Sequence, residues 1–233
     1  HTVTLLAAHA SLGGRAGSWE KGGFRFDTGP SWYLMPEVFD HFYKLLGTSA
    51  EEQLELITLD PGYRVYFEGQ AAPLDISASR EENLELFEGI QRNAGRRLDR
   101  YLDSAARTYD LAMRYFLYTS FQRLGPLLNR EVLGDLPHLA SLLLRPLSSL
   151  AARTVRDDRL RKILGYPAVF LGTSPFRAPS MYHLMSHLDL DDGVLYPIGG
   201  FARVIESIAD LAAAEGVTII RSARATRIVV EDG

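Results

Sequence analysis

The stretch from Val3 to Trp32, VTLLAAHASLGGRAGSWEKGGFRFDTGPSW, restricts the possible folds of this chain more than any other. It opens with a short apolar run, Val3 to Leu6, of the length and β-branched character of a buried strand. A Gly13-Gly14-Arg15 turn follows, then an extended piece from Phe24 to Phe26, then Asp27-Thr28-Gly29-Pro30-Ser31-Trp32. Paired glycines let a ligand approach the backbone where any side chain would block it, and their amides can turn toward an anion. Arg15 beside them supplies the fixed cation that a diphosphate requires. Taken alone, Gly13-Gly14 reads first as a plain turn.

Two longer strings bracket most of the chain: FDTGPSWYLMPEVFDHFY, from Phe26, and GTSPFRAPSMYHLMSHLDLDDGVLYPIGGFARVIESIADLAAAEGV, from Gly172. With the Gly-Gly-Arg turn ahead of them, the chain resembles the bacterial-type phytoene desaturases, flavoproteins of the wider amine-oxidase-like group. That resemblance implies FAD as cofactor, with Gly13, Gly14 and Arg15 at its diphosphate and ribose edge and Gly29 near its isoalloxazine. It places Gly199 and Gly200 beside the flavin as well, although that pair also reads as a simple helix start. No residue matches a motif that fixes a catalytic base, so the catalytic set stays unassigned. The activity implied is FAD-dependent desaturation of a long, phytoene-like polyene in carotenoid biosynthesis. A carotenoid isomerase, ketolase or C30 desaturase on the same scaffold, or a non-catalytic module binding lipid or a partner, are the competing readings.

The chain departs from that family's pattern in two ways. The family's first strand and Gly-x-Gly-x-x-Gly turn, which hold the FAD diphosphate at a helix N-terminus, have no counterpart before Val3. Where the family has a glutamate for the adenosine ribose hydroxyls, this chain has Ala7, which cannot accept those hydrogen bonds. The expectation is therefore an incomplete and inactive part of the enzyme, with weak or no FAD binding of its own.

The fold class expected is α/β. Residues 1–50 and 194–233 would form a partial, discontinuous Rossmann-like FAD-binding domain, and residues 51–193 a mostly helical substrate domain on a smaller mixed sheet. Pro36 suits the first residue of a helix that Gly47 stops. Residues 55–59, 63–67 and 74–76 read as strands, with Asp60-Pro61-Gly62 as the turn between the first two. Ser79 with Glu82 has capping-box spacing, and apolar residues then recur at three and four from Leu98 to Leu117. Pro126, Pro137, Pro146 and Pro167 punctuate the next stretch into shorter helices. Residues 194–197, a helix over 201–214, and strands over 217–220 and 225–230 read as a βαβ unit.

Hydrophobic residues make up 46% of the 233, which suffices for a sizeable core. A net charge of −4 argues against a nucleic-acid partner, and the absence of cysteine excludes a disulfide framework or a thiol nucleophile. With no run of about 18 apolar residues, membrane contact would be peripheral, and a cytoplasmic location is expected. The stretch 115–150, leucine-rich with Arg123, Arg130, Arg145 and Arg153 nearby, suits a membrane interface, and equally suits helical core with a solvated rim. His183 and His187 lie four apart without a third ligand at metal spacing, so no metal is expected and a packed or hydrogen-bonded pair is.

Overall fold

A computed structural model describes residues 1–119 and 130–230; Arg123 and Pro126 lie outside the described residues. The chain divides into two compact units, residues 1–58 with 194–233, and residues 59–193. Residues 51–58 belong to the first unit, whereas the sequence places them in the second. The reason is pairing: strand Leu56–Thr58 runs antiparallel to Leu195–Pro197.

In the first unit, β1 (Thr4–Leu6) and β8 (Thr218–Ile220) form a parallel pair in register Thr4 with Thr218. The pairing continues past the strand ends, since Ala7 donates to the Ile220 carbonyl at 2.9 Å and accepts from the Ala223 amide at 2.8 Å. Strands β2 (Ser18–Lys21) and β3 (Phe24–Asp27) make a hairpin through Gly22 and Gly23, both at positive φ. Its alternation puts Trp19 and Phe26 on one face and Glu20 with Arg25 on the other. β4 (Leu56–Thr58) pairs with β7 (Leu195–Pro197), and Tyr33 adds a bridge by donating its amide to the Leu195 carbonyl at 2.8 Å.

Helix α1 (Pro36–Leu45) begins on its proline, and α2 (Ala50–Gln53) is capped by Ser49, whose hydroxyl accepts the Glu52 amide. Helix α10 (Ala202–Ala214) turns Val204, Ile208 and Leu211 inward, and Gly216 at φ +83° follows it. The core gathers Tyr33, Tyr43, Ala50, Leu54, Phe201 and Val204, and the Tyr43 hydroxyl shares a hydrogen bond of 2.6 Å with Ser207.

The βαβ reading of this end is corrected in part. The strands flanking α10 do not share a sheet: β7 pairs with β4 and β8 with β1. Residues 225–230 carry no strand. Local apolar runs mark the strands, but their pairing partners lie more than a hundred residues away and leave no local trace.

The second unit holds the β5 (Tyr63–Val65) and β6 (Leu74–Ile76) pair and the remaining helices. The expected mixed sheet over residues 55–76 is absent, because β4 finds its partner in the first unit and only β5 and β6 pair here. Helix α3 (Arg80–Ile90) has Ser79 as N-cap, its hydroxyl accepting the Glu82 amide. The reciprocal half of the capping box is not made, since the Ser79 amide donates to the Ser77 hydroxyl instead.

Helix α4 (Ala94–Tyr115) buries Leu98, Tyr101, Leu102, Ala105 and Tyr109. After it come α5 (Arg130–Gly134), α6 (Leu136–Leu144), α7 (Leu147–Thr154), α8 (Asp158–Gly165) and α9 (Met185–Leu190). Pro137 sits in the first turn of α6, Pro146 caps α7, and Pro167 lies in a 3₁₀ segment, Tyr166–Leu171. Asn83 stitches the core: its buried amide donates to the carbonyls of Ser77 and Leu190 and accepts from the Ser77 amide.

Candidate functional site

The residues that the sequence singles out, Gly13, Gly14, Arg15, Gly29, Gly199 and Gly200, all lie in the first unit. Gly13 and Gly14 hold φ of +100° and +53°, and the turn closes as a 3₁₀ segment, Gly14–Ala16, when Ala16 donates to the Gly13 carbonyl. Glycine is required at Gly13, because a β-carbon there would press within 2.8 Å of the Ala16 carbonyl oxygen. Around Gly14 the corresponding space is open. Arg15 is exposed and makes no ion pair among the described residues, so its guanidinium is available to an anion.

Gly29 meets this turn from the other side. A β-carbon at Gly29 would collide with the Arg15 carbonyl oxygen, so the Asp27-Thr28-Gly29 segment packs backbone against backbone on the turn. The Thr28 amide donates to the Gly17 carbonyl at 2.9 Å, continuing the β2–β3 hairpin into this contact. Gly199 and Gly200 also hold positive φ, +91° and +84°. A β-carbon on Gly200 would approach the Asp27 carboxylate to 2.9 Å. That carboxylate accepts the Phe201 amide at 3.0 Å, satisfying one of the free N–H groups ahead of α10.

Asp27 therefore anchors the Gly199-Gly200 end of α10, while Gly29, two residues on in the same segment, packs on the Gly13-Gly14-Arg15 turn; sequence reasoning assigns Asp27 no role. The partners are 174 residues apart, and no local spacing announces such a bond. Ile205 escapes for the same reason; its side chain is the neighbour that a β-carbon on Gly13 would meet at 3.3 Å.

A cleft of about 360 Å³ opens beside the turn, lined by residues 5–9, residues 11–14 and the apolar face of α10 at Ile205, Ile208 and Ala209. A second cleft of about 340 Å³ shares Ser11, Leu12, Ile205 and Ala209 with it, and is polar, with Glu20, Arg25, Glu206, Asp210 and Arg221. Arg25 is held between Glu20 at 2.6 Å and Glu206 at 3.4 Å. Both strands of the parallel pair end here, at Leu6 and Ile220, and the carboxyl ends of parallel strands are where such sheets bind ligands. Ala7, which stands where the resemblance puts the family's ribose-binding glutamate, lines the apolar cleft.

The model of the flavin-containing amine oxidoreductases matches residues 1–233. The chain belongs to that family. Among curated relatives, it is 36% identical over 216 residues to a carotenoid 3,4-desaturase from Haloarcula japonica, covering 93% of this chain and 43% of that one. It is 35% identical over 233 residues to a phytoene dehydrogenase from Streptomyces griseus, covering 97% of this chain and 44% of the other. The chain thus spans less than half the length of these relatives. Among solved structures, wild-type putrescine oxidase bound to putrescine superposes with a TM-score of 0.54 at 16% identity, over 93% of this chain and 45% of that one. At that identity the likeness speaks for the fold, which is the α/β fold of flavin-dependent amine oxidases.

The residues present fit a flavin dinucleotide in part. Open space over Gly14 and an exposed Arg15 that makes no ion pair among the described residues suit a diphosphate, while the Ala7 side chain offers the ribose no acceptor.

In the second unit, His183 and Asp189 are titratable groups buried in the interior. His183 is buried and hydrogen-bonded to Ser104 at 2.9 Å, and burial pushes its pKa down to about 4. His138 reaches the same serine at 3.3 Å. His187 bonds Asp191 at 2.9 Å, so the two histidines paired by sequence spacing face different partners. Asp189 is fully buried, accepts from the Tyr63 hydroxyl at 3.0 Å, and burial raises its pKa to about 7. Among the described residues no three His, Asp or Glu side chains come together as a metal site.

Proposed function

We propose that this chain serves an FAD-dependent desaturase acting on a long, phytoene-like polyene in carotenoid biosynthesis. The observation that carries the reading is the frame around Gly13, Gly14, Arg15, Gly29 and Asp27, found in a chain about one-third identical to a carotenoid 3,4-desaturase and a phytoene dehydrogenase. An unactivated hydrocarbon offers nothing for acid, base or metal catalysis to grip; a bound flavin supplies the two-electron acceptor for hydride, and a proton leaves the neighbouring carbon. The chain's own residues act on binding and alignment. Gly13 and Gly14 let backbone approach the diphosphate, Arg15 places a cation beside it, and Gly29 holds the adjoining segment against the turn. Asp27 fixes the start of α10 and with it Gly199 and Gly200. With Ala7 at the ribose position, the affinity of this chain for FAD is weak.

The same reading makes the protein cytoplasmic and peripherally membrane-bound, since its hydrocarbon substrate partitions into lipid. Support comes from Leu133, Leu136, Leu143 and Leu144 on α5 and α6, all exposed, although no described helix is long and apolar enough to cross a membrane. The test is product analysis on a chain of the relatives' length, supplied with FAD and with C40 and C30 polyenes in turn. Conversion of a C40 precursor to more conjugated products is expected. Conversion of C30 substrates alone, or isomerisation without loss of hydrogen, would replace this reading with a related flavoenzyme.

A further inference from the structure

We infer that the surface formed by the end of α6 and the loop over residues 165–178 is a docking face for an anionic lipid bilayer. This deepens the peripheral-membrane reading above and rests on it. Leu147, Ala168 and Ala178 bury one another beneath this face. Above them the backbone is tied together: Leu147 donates to the Ala178 carbonyl and Ser148 to the Pro175 carbonyl, each at 2.8 Å, and Thr173 to the Ala168 carbonyl. The side chains that this frame turns outward are apolar. Leu144 is 84% exposed and Phe176 75%, and Leu143, Val169, Phe170 and Leu171 are exposed with them.

Charge identifies the occupant. The residues that form this face, 143–147 and 165–178, carry two cations, Arg145 and Arg177, and no carboxylate, in a chain whose net charge is −4. Arg145, directly after Leu144, and Arg177, directly after Phe176, are exposed and make no ion pair among the described residues. Apolar tips beside unpaired guanidinium groups match a bilayer surface, tips in the acyl boundary and cations at lipid phosphates. A nucleic acid would use the arginines and leave the leucines and phenylalanines in water; a second copy would have to neutralise the same excess of positive charge.

The test is sedimentation of the chain with phosphatidylcholine vesicles, with and without phosphatidylglycerol, for the wild type and for Leu144→Glu, Phe176→Glu, Arg145→Glu and Arg177→Glu. All four positions are exposed, and circular dichroism reports that each variant folds. The wild type should sediment with anionic vesicles and less so in high salt, and each variant should lower partitioning by about tenfold or more. Unchanged binding by all four, with loss only in a Leu133→Glu control on α5, would overturn this face and leave the membrane reading standing. No wild-type binding to any vesicle would overturn both. Self-association that Phe176→Glu abolishes, without vesicle binding, would assign the face to a second copy instead.

Discussion

Asp189→Asn is the substitution whose effect the geometry defines most fully. Asp189 is fully buried on α9, its one bonded oxygen accepts from Tyr63, and its other oxygen has no partner among the described residues. Burial disfavours the carboxylate, so the folded pKa rises from 3.8 to about 7. The folded state thus holds a proton that the unfolded state has already released. The resulting stabilisation is complete below pH 3.8, shrinks as pH rises, and is gone once pH passes about 7. The whole effect is on the order of 4 kcal/mol.

His183 works in the opposite sense. Kept neutral with a folded pKa of about 4 against an ordinary 6.5, it contributes stability above 6.5 that is lost as pH falls toward 4. Over the shared window the two slopes offset, so the wild type should be nearly flat and then weaken from about pH 6.5 to 7.5. Asparagine has the shape of the neutral acid and does not titrate. Asp189→Asn should match the wild type near pH 4, gain stability up to about 6.5, and exceed it by a few kcal/mol at pH 8. Urea denaturation followed by circular dichroism at pH steps between 4 and 8 measures this. Parallel stability curves for the two proteins would refute the reasoning.

Gly29→Ala forces a β-carbon into the Arg15 carbonyl; it should cost roughly 1–3 kcal/mol or more and speed amide exchange at residues 13–17, whereas Gly14→Ala, with open space around it, should cost less. Asp27→Ala removes the acceptor for the Phe201 amide, costing ~1 kcal/mol, and faster exchange at Phe201 and in the first turn of α10 is the readout; Asp27→Asn should restore most of it.

Much of this molecule is legible along the sequence because its devices are local. Pro36 at the head of α1, Ser79 as a cap, Pro137 and Pro146 at helix starts and the three-and-four spacing in α4 each announce themselves within a turn or two. The glycines of the candidate site are legible for the same reason: Gly13 and Gly14, Gly29, and Gly199 and Gly200 each stand in a short string of the family pattern. Strand pairing is not. The partners of β1 and β4 lie far along the chain, and a three-residue apolar run fits a parallel pair, an antiparallel pair or a βαβ unit equally well. Asp27 escapes because its partner is an amide rather than a motif, and the Ser104 link between His138 and His183 because three separate helical segments supply it.

The central claim, a flavin site framed by Gly13, Gly14, Arg15 and Gly29 and weakened by Ala7, is tested most directly by titrating FAD and following flavin fluorescence. The 233-residue chain should bind weakly or not detectably, and Ala7→Glu should recover only part of the affinity. Charge-assisted hydrogen bonds are worth about 1.5–3 kcal/mol each, so one restored bond should strengthen binding by roughly tenfold to a hundredfold. In a chain of the relatives' length, FAD should bind, and Arg15→Ala should weaken it by a similar factor. Submicromolar binding by the unmodified 233-residue chain, or full-strength binding by the Arg15→Ala variant, would contradict the assignment of these residues to the cofactor.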